Sequence, residues 1–200
     1  MTSPTKPVVV FDLETGGIRV GVPIIQIAAV VVDTSKGWEE LGSWERKLQF
    51  KPEDCEPQAL KVNRYTAKAW EGAVPLDQGL REFGRFLEKY RSIEVVSPRT
   101  GKPYQVTRVC GYNVRFDLDH IGAAFRAAGL FFPGQFNTAL DVMQGVVWGQ
   151  ERGEIPATTN MKLTTVAEAL GVQVPGDAHD ALVDVRLTVG VARILLGGGK

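Results

Sequence analysis

The chain has 200 residues, of which 44% are hydrophobic, and its 23 Lys plus Arg balance its 23 Asp plus Glu. The hydrophobic fraction supports one buried core and excludes disorder along the whole chain. The zero net charge excludes charge-driven coating of nucleic acid, but it permits a local basic groove. No apolar run approaches the length of about 20 residues that a membrane span needs, and residues 1–7 lack the apolar stretch of a secretory signal. Since two cysteines (Cys55 and Cys110) also favour a reducing cytosol, we expect a cytoplasmic protein with one domain over residues 1–200.

The first half of the chain predicts three strands followed by two helices. Residues 8–11 and 24–32 are continuous apolar runs, typical of strands buried on both faces, and residues 43–50 form a more polar strand. Gly-rich turns between them indicate an antiparallel meander. Residues 56–61 and 76–90 have the periodicity of helices.

The second half alternates strands with helices. A turn-rich, basic segment at residues 97–104 lies between two apolar strands, which predicts an inserted hairpin over residues 93–110. The remaining predicted elements are helices at residues 117–128, 143–150, 162–170 and 181–196, a strand at 138–142 and a flexible tail at 197–200. Leading strands followed by this alternation give an α/β fold with a mixed sheet and a core over residues 8–195.

Two carboxylates, Asp12 and Glu14, lie two residues apart where the first strand ends. Side chains alternate along a strand, so both project from the same face. A pair of this kind can bind a cation. The alternative is that Asp12 only starts a turn.

A third carboxylate, Asp117, follows Asn113 and Phe116 at the start of a predicted helix. Its structural alternative is a helix N-cap, a position that Asp often occupies. We interpret the neighbouring Asp119 and His120 as surface residues of the first helical turn.

Asp184 lies in a largely apolar helix, between Ala181 and Leu187. An ionised carboxylate buried there without a partner would cost several kcal/mol, in the range of about 3–5. The helix therefore needs a nearby cation, which is either a metal ion or an arginine. The candidate arginines are Arg108, Arg115 and Arg126.

His179 precedes that helix by a short segment that contains Pro175 and Gly176, so we place it on a loop. From a loop it can approach Asp184, although five residues along one helix would separate them by about 140°. The alternative is a solvated loop histidine. Asp180 is a rival ligand, but we interpret it as the helix N-cap.

Three segments together resemble the motifs of the DnaQ-like (DEDDh) 3′–5′ exonucleases, a family that includes polymerase III proofreading subunits and ribonuclease T. They are Phe-Asp-Leu-Glu-Thr at 11–15, Tyr-Asn-Val-Arg-Phe-Asp at 112–117 and His-Asp-Ala-Leu-Val-Asp at 179–184. The motifs occur in the family's order across nearly the whole chain. Residues 62–66 depart from the family's usual sequence, and Tyr112 stands where many members have His.

The resemblance implies a ribonuclease H-like mixed β-sheet flanked by helices, and a metal-dependent 3′–5′ exonuclease that releases nucleoside 5′-monophosphates. It implies that His179 is the general base and that two divalent cations, Mg²⁺ or Mn²⁺, are bound by four carboxylates. Hard oxygen ligands without thiolates agree with those ions rather than Zn²⁺. The implied metal ligands are Asp12, Glu14, Asp117 and Asp184.

The resemblance also implies contacts with the substrate close to these ligands. Backbone N–H groups of Thr15 and Gly16 are expected near the terminal 3′-hydroxyl, and Asn113 either contacts the terminal sugar or closes a turn. Phe116 is expected in the core rather than against a base. The implied substrate-binding residues are Leu13, Thr15, Gly16, Asn113 and Phe116.

The expected partner is single-stranded or 3′-terminal nucleic acid, either DNA or RNA, because the motifs do not encode contacts with the 2′-hydroxyl. A DNA polymerase or a repair complex, and a second copy of the chain, stay open as further partners. Two other functions also stay open: a non-catalytic module that binds nucleic acid or a polymerase, and an endonuclease.

Overall fold

The computed structural model describes residues 7–175 and 180–196, and those residues form seven strands and six α-helices. His179 and the predicted tail at residues 197–200 lie outside the described residues. No helix within the described residues has the length and apolar character to span a membrane.

The bounds of the elements are close to those predicted from the sequence. The strands are β1 (Pro7–Thr15), β2 (Ile24–Asp33), β3 (Glu39–Lys47), β4 (Arg91–Val96), β5 (Pro103–Thr107), β6 (Val109–Gly111) and β7 (Leu140–Asp141). The helices are α1 (Pro57–Val62), α2 (Leu76–Glu88), α3 (Val114–Ala127), α4 (Val142–Glu151), α5 (Leu163–Ala169) and α6 (Ala181–Leu195).

Five strands form one mixed sheet in the order β3-β2-β1-β6-β7. The β1–β2 and β2–β3 pairs are antiparallel, whereas β1–β6 and β6–β7 are parallel. Helices cover both faces of this sheet, so the predicted α/β class with a mixed sheet is confirmed.

The alternation of side chains along β1 divides the core into two layers. Val8 and Val10 belong to the layer that contains the buried residues of α4, α5 and α6. Val9, Phe11 and Leu13 belong to the layer of α2 and α3. Because both faces of β1 are buried, its sequence is a continuous apolar run rather than an alternating one.

The same alternation decides where the acidic residues of β1 point. Asp12 and Glu14 share the parity of Val10, so they face the layer that contains α6. Asp184 lies in the first turn of α6, a helix of that same layer, so it approaches Asp12 and Glu14 from the helix side. β6 runs parallel to β1 and ends at Gly111, one residue after the pair of Cys110 with Val10, so its carboxyl end lies close to Asp12.

Three predicted boundaries are wrong. The third strand, predicted at residues 43–50, spans Glu39–Lys47. The predicted strand at residues 106–110 is divided at Arg108: β5 forms a separate two-stranded sheet with β4, and β6 joins the main sheet. The helix predicted from Asp117 begins at Val114, because Asn113 adopts a left-handed conformation (φ 57°, ψ 43°) that Asn tolerates and that turns the chain directly into α3.

Phe83→Ala tests the layer beneath α2. The Phe83 side chain is fully buried and lies 5.8 Å from the ring of Phe11 and 5.3 Å from that of Trp44. Its truncation should lower the free energy of unfolding by about 3–5 kcal/mol, measured by urea denaturation. The control is Phe131→Ala, because that ring is 59% exposed and its loss should change stability by about 0.5 kcal/mol or less. Equal losses in the two variants would contradict the described core.

Candidate active site

Three carboxylates meet at the end of β1. Asp12, Glu14 and Asp184 each offer an oxygen atom, and these oxygens all lie within 4.8 Å of one another. Glu14 is buried at 8% exposure. Oxygen-only ligands at this spacing suit a hard divalent cation.

The position of Asp184 depends on how α6 begins. The Asp180 carboxylate accepts hydrogen bonds from the N–H groups of Leu182 (3.0 Å) and Val183 (3.4 Å), which confirms the interpretation of Asp180 as the N-cap. The Asp184 N–H in turn donates to the Asp180 carbonyl at 3.0 Å. The cap therefore sets the first turn of the helix, and with it the point from which Asp184 reaches β1.

Asp117 reaches β1 from the opposite layer. It is 3% exposed, and its Oδ1 accepts a hydrogen bond of 3.1 Å from the Leu13 N–H. The N-cap of α3 is Asn113, so the alternative that Asp117 caps this helix is wrong. Asp117 does not belong to the group of three carboxylates, but its charge interacts with that of Asp12.

The burial of these acids raises their pKa values. Burial raises the pKa of Glu14 to about 9, and the negative charges of Asp12, Asp184 and Asp180 add to this effect. Burial, and then the charge of Asp184, raises the pKa of Asp12 well above its ordinary range. A divalent cation bound between the carboxylates would remove this penalty, so the donor set fits such an ion.

The pKa of Asp117 is also raised well above its ordinary range, by burial first and then by the charge of Asp12. The hydrogen bond from the Leu13 N–H acts in the opposite direction, because it favours the ionised carboxylate. That bond holds Asp117 in place whether or not a cation is bound.

Leu13 and Thr15 flank Glu14 on β1, and both were expected to contact substrate, but their surroundings differ. Leu13 is 5% exposed, packs in the core and uses its N–H for Asp117, so its side chain supports the site from below. Thr15 is buried, and its Oγ1 donates to the Gly17 carbonyl at 2.7 Å.

The Gly16 N–H donates to the Pro23 carbonyl at 2.7 Å, which uses the donor that we expected near a 3′-hydroxyl. A Cβ atom at Gly16 would lie 2.4 Å from the Cys55 Sγ, so this position accepts only glycine. The Gly16 carbonyl accepts from the Glu56 N–H at 2.6 Å. Gly16 thus fixes the loop that follows β1 against the segment before α1.

Asn63 is a supporting residue that the sequence did not indicate. Its Nδ2 donates to the Thr15 carbonyl at 3.0 Å, and the residue is 7% exposed. It lies in the segment that departs from the family pattern, residues 62–66, where only the preference of Asn for turns was visible. This bond ties that segment to the end of β1.

His120 is buried at 3% exposure, so its interpretation as a surface residue is wrong. Its Nδ1 lies 2.8 Å from the Phe116 carbonyl and its Nε2 lies 3.2 Å from the Arg19 carbonyl. His120 is three residues after Asp117, on the same flank of α3, and it joins this helix to the loop after β1. Only this tertiary contact explains its burial.

Phe116 and Asn113 are the last predicted substrate contacts. Phe116 is half-buried and packs against the ring of His120 at 4.3 Å between centroids. It belongs to neither core layer, so the expectation that it lies in the core is wrong. Asn113 is exposed, and its N–H donates to the Asp141 carboxylate at 3.1 Å, so it closes the turn before α3. Arg115, one candidate partner of Asp184, pairs instead with Asp119 at 2.8 Å.

A groove of about 860 Å³ runs along the Asp117 flank of α3. It begins at His120, one helical turn from Asp117, and passes between the loop that contains Arg19 and the segment that contains Phe50 and Lys51. Two basic residues, the carboxylate of Asp54 and the ring of Phe50 line this groove.

No family model matches the sequence, and the curated proteins contain no significant match. Solved structures do match. E. coli exonuclease I in complex with a dT13 oligonucleotide aligns with 96% of this chain and 41% of its own, at 17% identity and a TM-score of 0.72.

The nuclease domain of 3′hExo, a DEDDh family member bound to rAMP, aligns with 100% of this chain and 96% of its own, at 16% identity and a TM-score of 0.69. A 3′-exonuclease that recognises the histone mRNA stem-loop aligns with 98% and 84%, at 15% identity and a TM-score of 0.70. The chain has the fold of these exonucleases. The expected ribonuclease H-like architecture is thereby confirmed, and the chain spans about 40% of the length of the exonuclease I structures.

The metal-free protein should lose stability as the pH rises from 5 to 9. A carboxyl group with a raised folded-state pKa stabilises the fold fully below its unfolded pKa, and this contribution is lost as the pH passes its folded pKa. For Glu14 the window runs from 4.5 to about 9. Urea unfolding in EDTA at each pH measures the loss, and added Mg²⁺ or Mn²⁺ should restore stability at pH 8 by binding the folded state.

Asp12→Asn should weaken this pH dependence, because it removes one of the repelling charges. It should raise the Tm of the metal-free protein at pH 8 by roughly 3 °C or more, since one unit of relieved pKa shift corresponds to about 1.4 kcal/mol. The control is Asp77→Asn, which removes an exposed carboxylate 2.9 Å from Arg81 on α2 and should leave the pH dependence unchanged. An Asp12→Asn protein with the wild-type pH dependence would show that the carboxylates do not repel one another.

Proposed function

We propose that the protein is a metal-dependent 3′–5′ exonuclease that hydrolyses the terminal phosphodiester bond of DNA or RNA and releases nucleoside 5′-monophosphates. The observation that carries this proposal is the convergence of Asp12, Glu14 and Asp184 at the end of β1. The shared fold with exonuclease I and 3′hExo supports it.

The four carboxylates are proposed to hold two divalent cations, with Asp12 shared between them. Glu14 and Asp184 would complete one site, and Asp117, oriented by the Leu13 N–H, would complete the other. When bound, the cations supply an activated water molecule and charge stabilisation for the leaving 3′-oxygen. Because the pKa values of Asp12 and Glu14 are raised, a cation would compete with protons for these carboxylates, and its binding should strengthen as the pH rises.

His179 is proposed as the general base that accepts the proton of the attacking water. An imidazole has an ordinary pKa of about 6.5, which suits proton transfer near neutral pH. The carboxylates themselves are poor bases when they are bound to cations, so a separate proton acceptor is needed.

The substrate strand is proposed to leave the carboxylates along the groove on the same flank of α3. Arg19 and Lys51 would contact its phosphates, and the edge formed by Phe116 and His120 would lie near its terminal nucleotide. The loop after β1 would position the 3′-end, because Asn63 and His120 hold it in place.

Asp12→Ala should reduce the release of labelled mononucleotide from a 3′-labelled single strand by at least about 100-fold in Mg²⁺. The matched control is Asp77→Ala on α2, which should retain wild-type activity. A 3′-phosphorylated or otherwise blocked oligonucleotide should resist the wild-type enzyme. Cleavage inside the blocked strand would instead indicate an endonuclease, and no turnover on any DNA or RNA would indicate a binding module.

His179→Ala should lower kcat by about 10²–10⁴-fold, the usual contribution of a general base. Mn²⁺ affinity, measured by calorimetry, should remain at the wild-type value because the carboxylates are intact. The control is His120→Asn, which should change KM more than kcat, since His120 holds a loop. Loss of Mn²⁺ binding in His179→Ala would contradict a role confined to proton transfer.

A further inference from the structure

A second groove lies on the other flank of α3, away from the carboxylates. It has a volume of about 670 Å³ and is bounded by the hairpin of β4 and β5, by α3 and by the segment that follows α3. Gly122 and Arg126 line it, and at 100° per residue they lie about 140° and 180° around the helix from Asp117. The two grooves are therefore separate surfaces on one helix.

Exposed rings and apolar side chains border this second groove. Phe131 is 59% exposed, Tyr104 is 39% exposed and Val96 is 63% exposed. The rings of Tyr104 and Phe131 meet edge to face at 5.8 Å, which joins the hairpin to the segment after α3. Exposed apolar clusters with a polar border mark interaction sites on soluble proteins.

Three basic residues lie in or near this groove. Arg126 lines it, and Arg99 and Lys102 are exposed on the turn of the hairpin. Within the described residues none of these three forms an ion pair, whereas Arg81 and Arg115 on the helices each pair with a carboxylate.

The lining of this groove, as far as the structure describes it, includes no carboxylate. Glu94, the acidic residue of the hairpin, pairs in register with Gln105; it is exposed and, like Arg99 and Lys102, lies outside the lining. Cations thus outnumber carboxylates on the hairpin and in the groove beside the exposed aromatic rings.

We propose that this groove binds unpaired nucleotides of a single-stranded nucleic acid. The bases would stack on Tyr104 and Phe131, and the phosphates would lie near Arg99, Lys102 and Arg126. Single-strand binding surfaces combine these two features, because every base has a π-face and every linkage has a negative charge. An acidic peptide would satisfy the cations but would leave the rings without stacking partners.

Asp117 and Arg126 lie about 14 Å apart along α3 and on opposite flanks, so a strand whose 3′-end lies at the carboxylates and that runs through the first groove would pass around the helix before it reaches this groove.

This proposal rests on the proposed function, but its test measures the binding of nucleic acid and needs no catalytic turnover. The affinity of the whole chain for 5′-fluorescein-dT20 is measured by anisotropy in EDTA. Tyr104→Ala combined with Phe131→Ala should raise Kd about 10-fold through lost stacking. The matched control is Trp148→Ala, which removes a 64% exposed ring on α4, outside this groove, and should leave Kd unchanged.

Salt dependence separates stacking from charge. Arg99→Gln combined with Lys102→Gln should reduce the slope of log Kd against log salt by about 1.4, since each neutralised phosphate of a single strand contributes about 0.7. The double aromatic variant should retain the wild-type slope. Arg81→Gln, which removes a cation paired with Asp77, should also retain it.

Unchanged Kd and slope in both double variants would overturn the proposal. Concentration-dependent dimers that disappear in Phe131→Ala, with unchanged Kd for dT20, would also overturn it and would make this surface a contact between two copies. Altered binding in a protein without nuclease activity would retain the groove and reject the proposed function. Nuclease activity with unaltered binding would reject the groove alone.

Discussion

The repulsion between Asp12, Glu14 and Asp184 is the interaction on which the rest of this structure depends. Burial, and then the charges of these neighbours, raises the pKa of Glu14 to about 9, so ionising the three carboxylates without a cation opposes folding. The surrounding structure holds them together despite this cost. A divalent ion bound between them would remove the cost, which is the physical reason for proposing a metal site here.

Two of the supporting contacts come from uncharged groups. The Leu13 N–H orients Asp117, and the Asn63 amide holds the Thr15 carbonyl. The buried apolar residues of β1, on both faces, keep this strand rigid up to Glu14. The buried packing of the sheet thus stabilises β1, and the carboxylates lie at the end of this strand.

Helix α3 has a different role on each flank. Asp117 reaches β1 and His120 lines the first groove, whereas Gly122 and Arg126 line the second groove beside the hairpin. The buried stripe between them, which includes Leu118, packs on the sheet and fixes both flanks at once. One helix therefore determines the spacing between the proposed reaction site and the proposed single-strand surface.

The sequence by itself determined the class of fold, the two-layer burial of β1 and the shared face of Asp12 and Glu14, because side-chain alternation and helical periodicity are local properties. It also indicated Asp180 as a cap. Only the tertiary structure decided that His120 is buried and that the Gly16 N–H is used within the protein, because their partners, Arg19 and Pro23, belong to the loop after β1. Long-range contacts of this kind depend on how layers meet, and no local pattern records them.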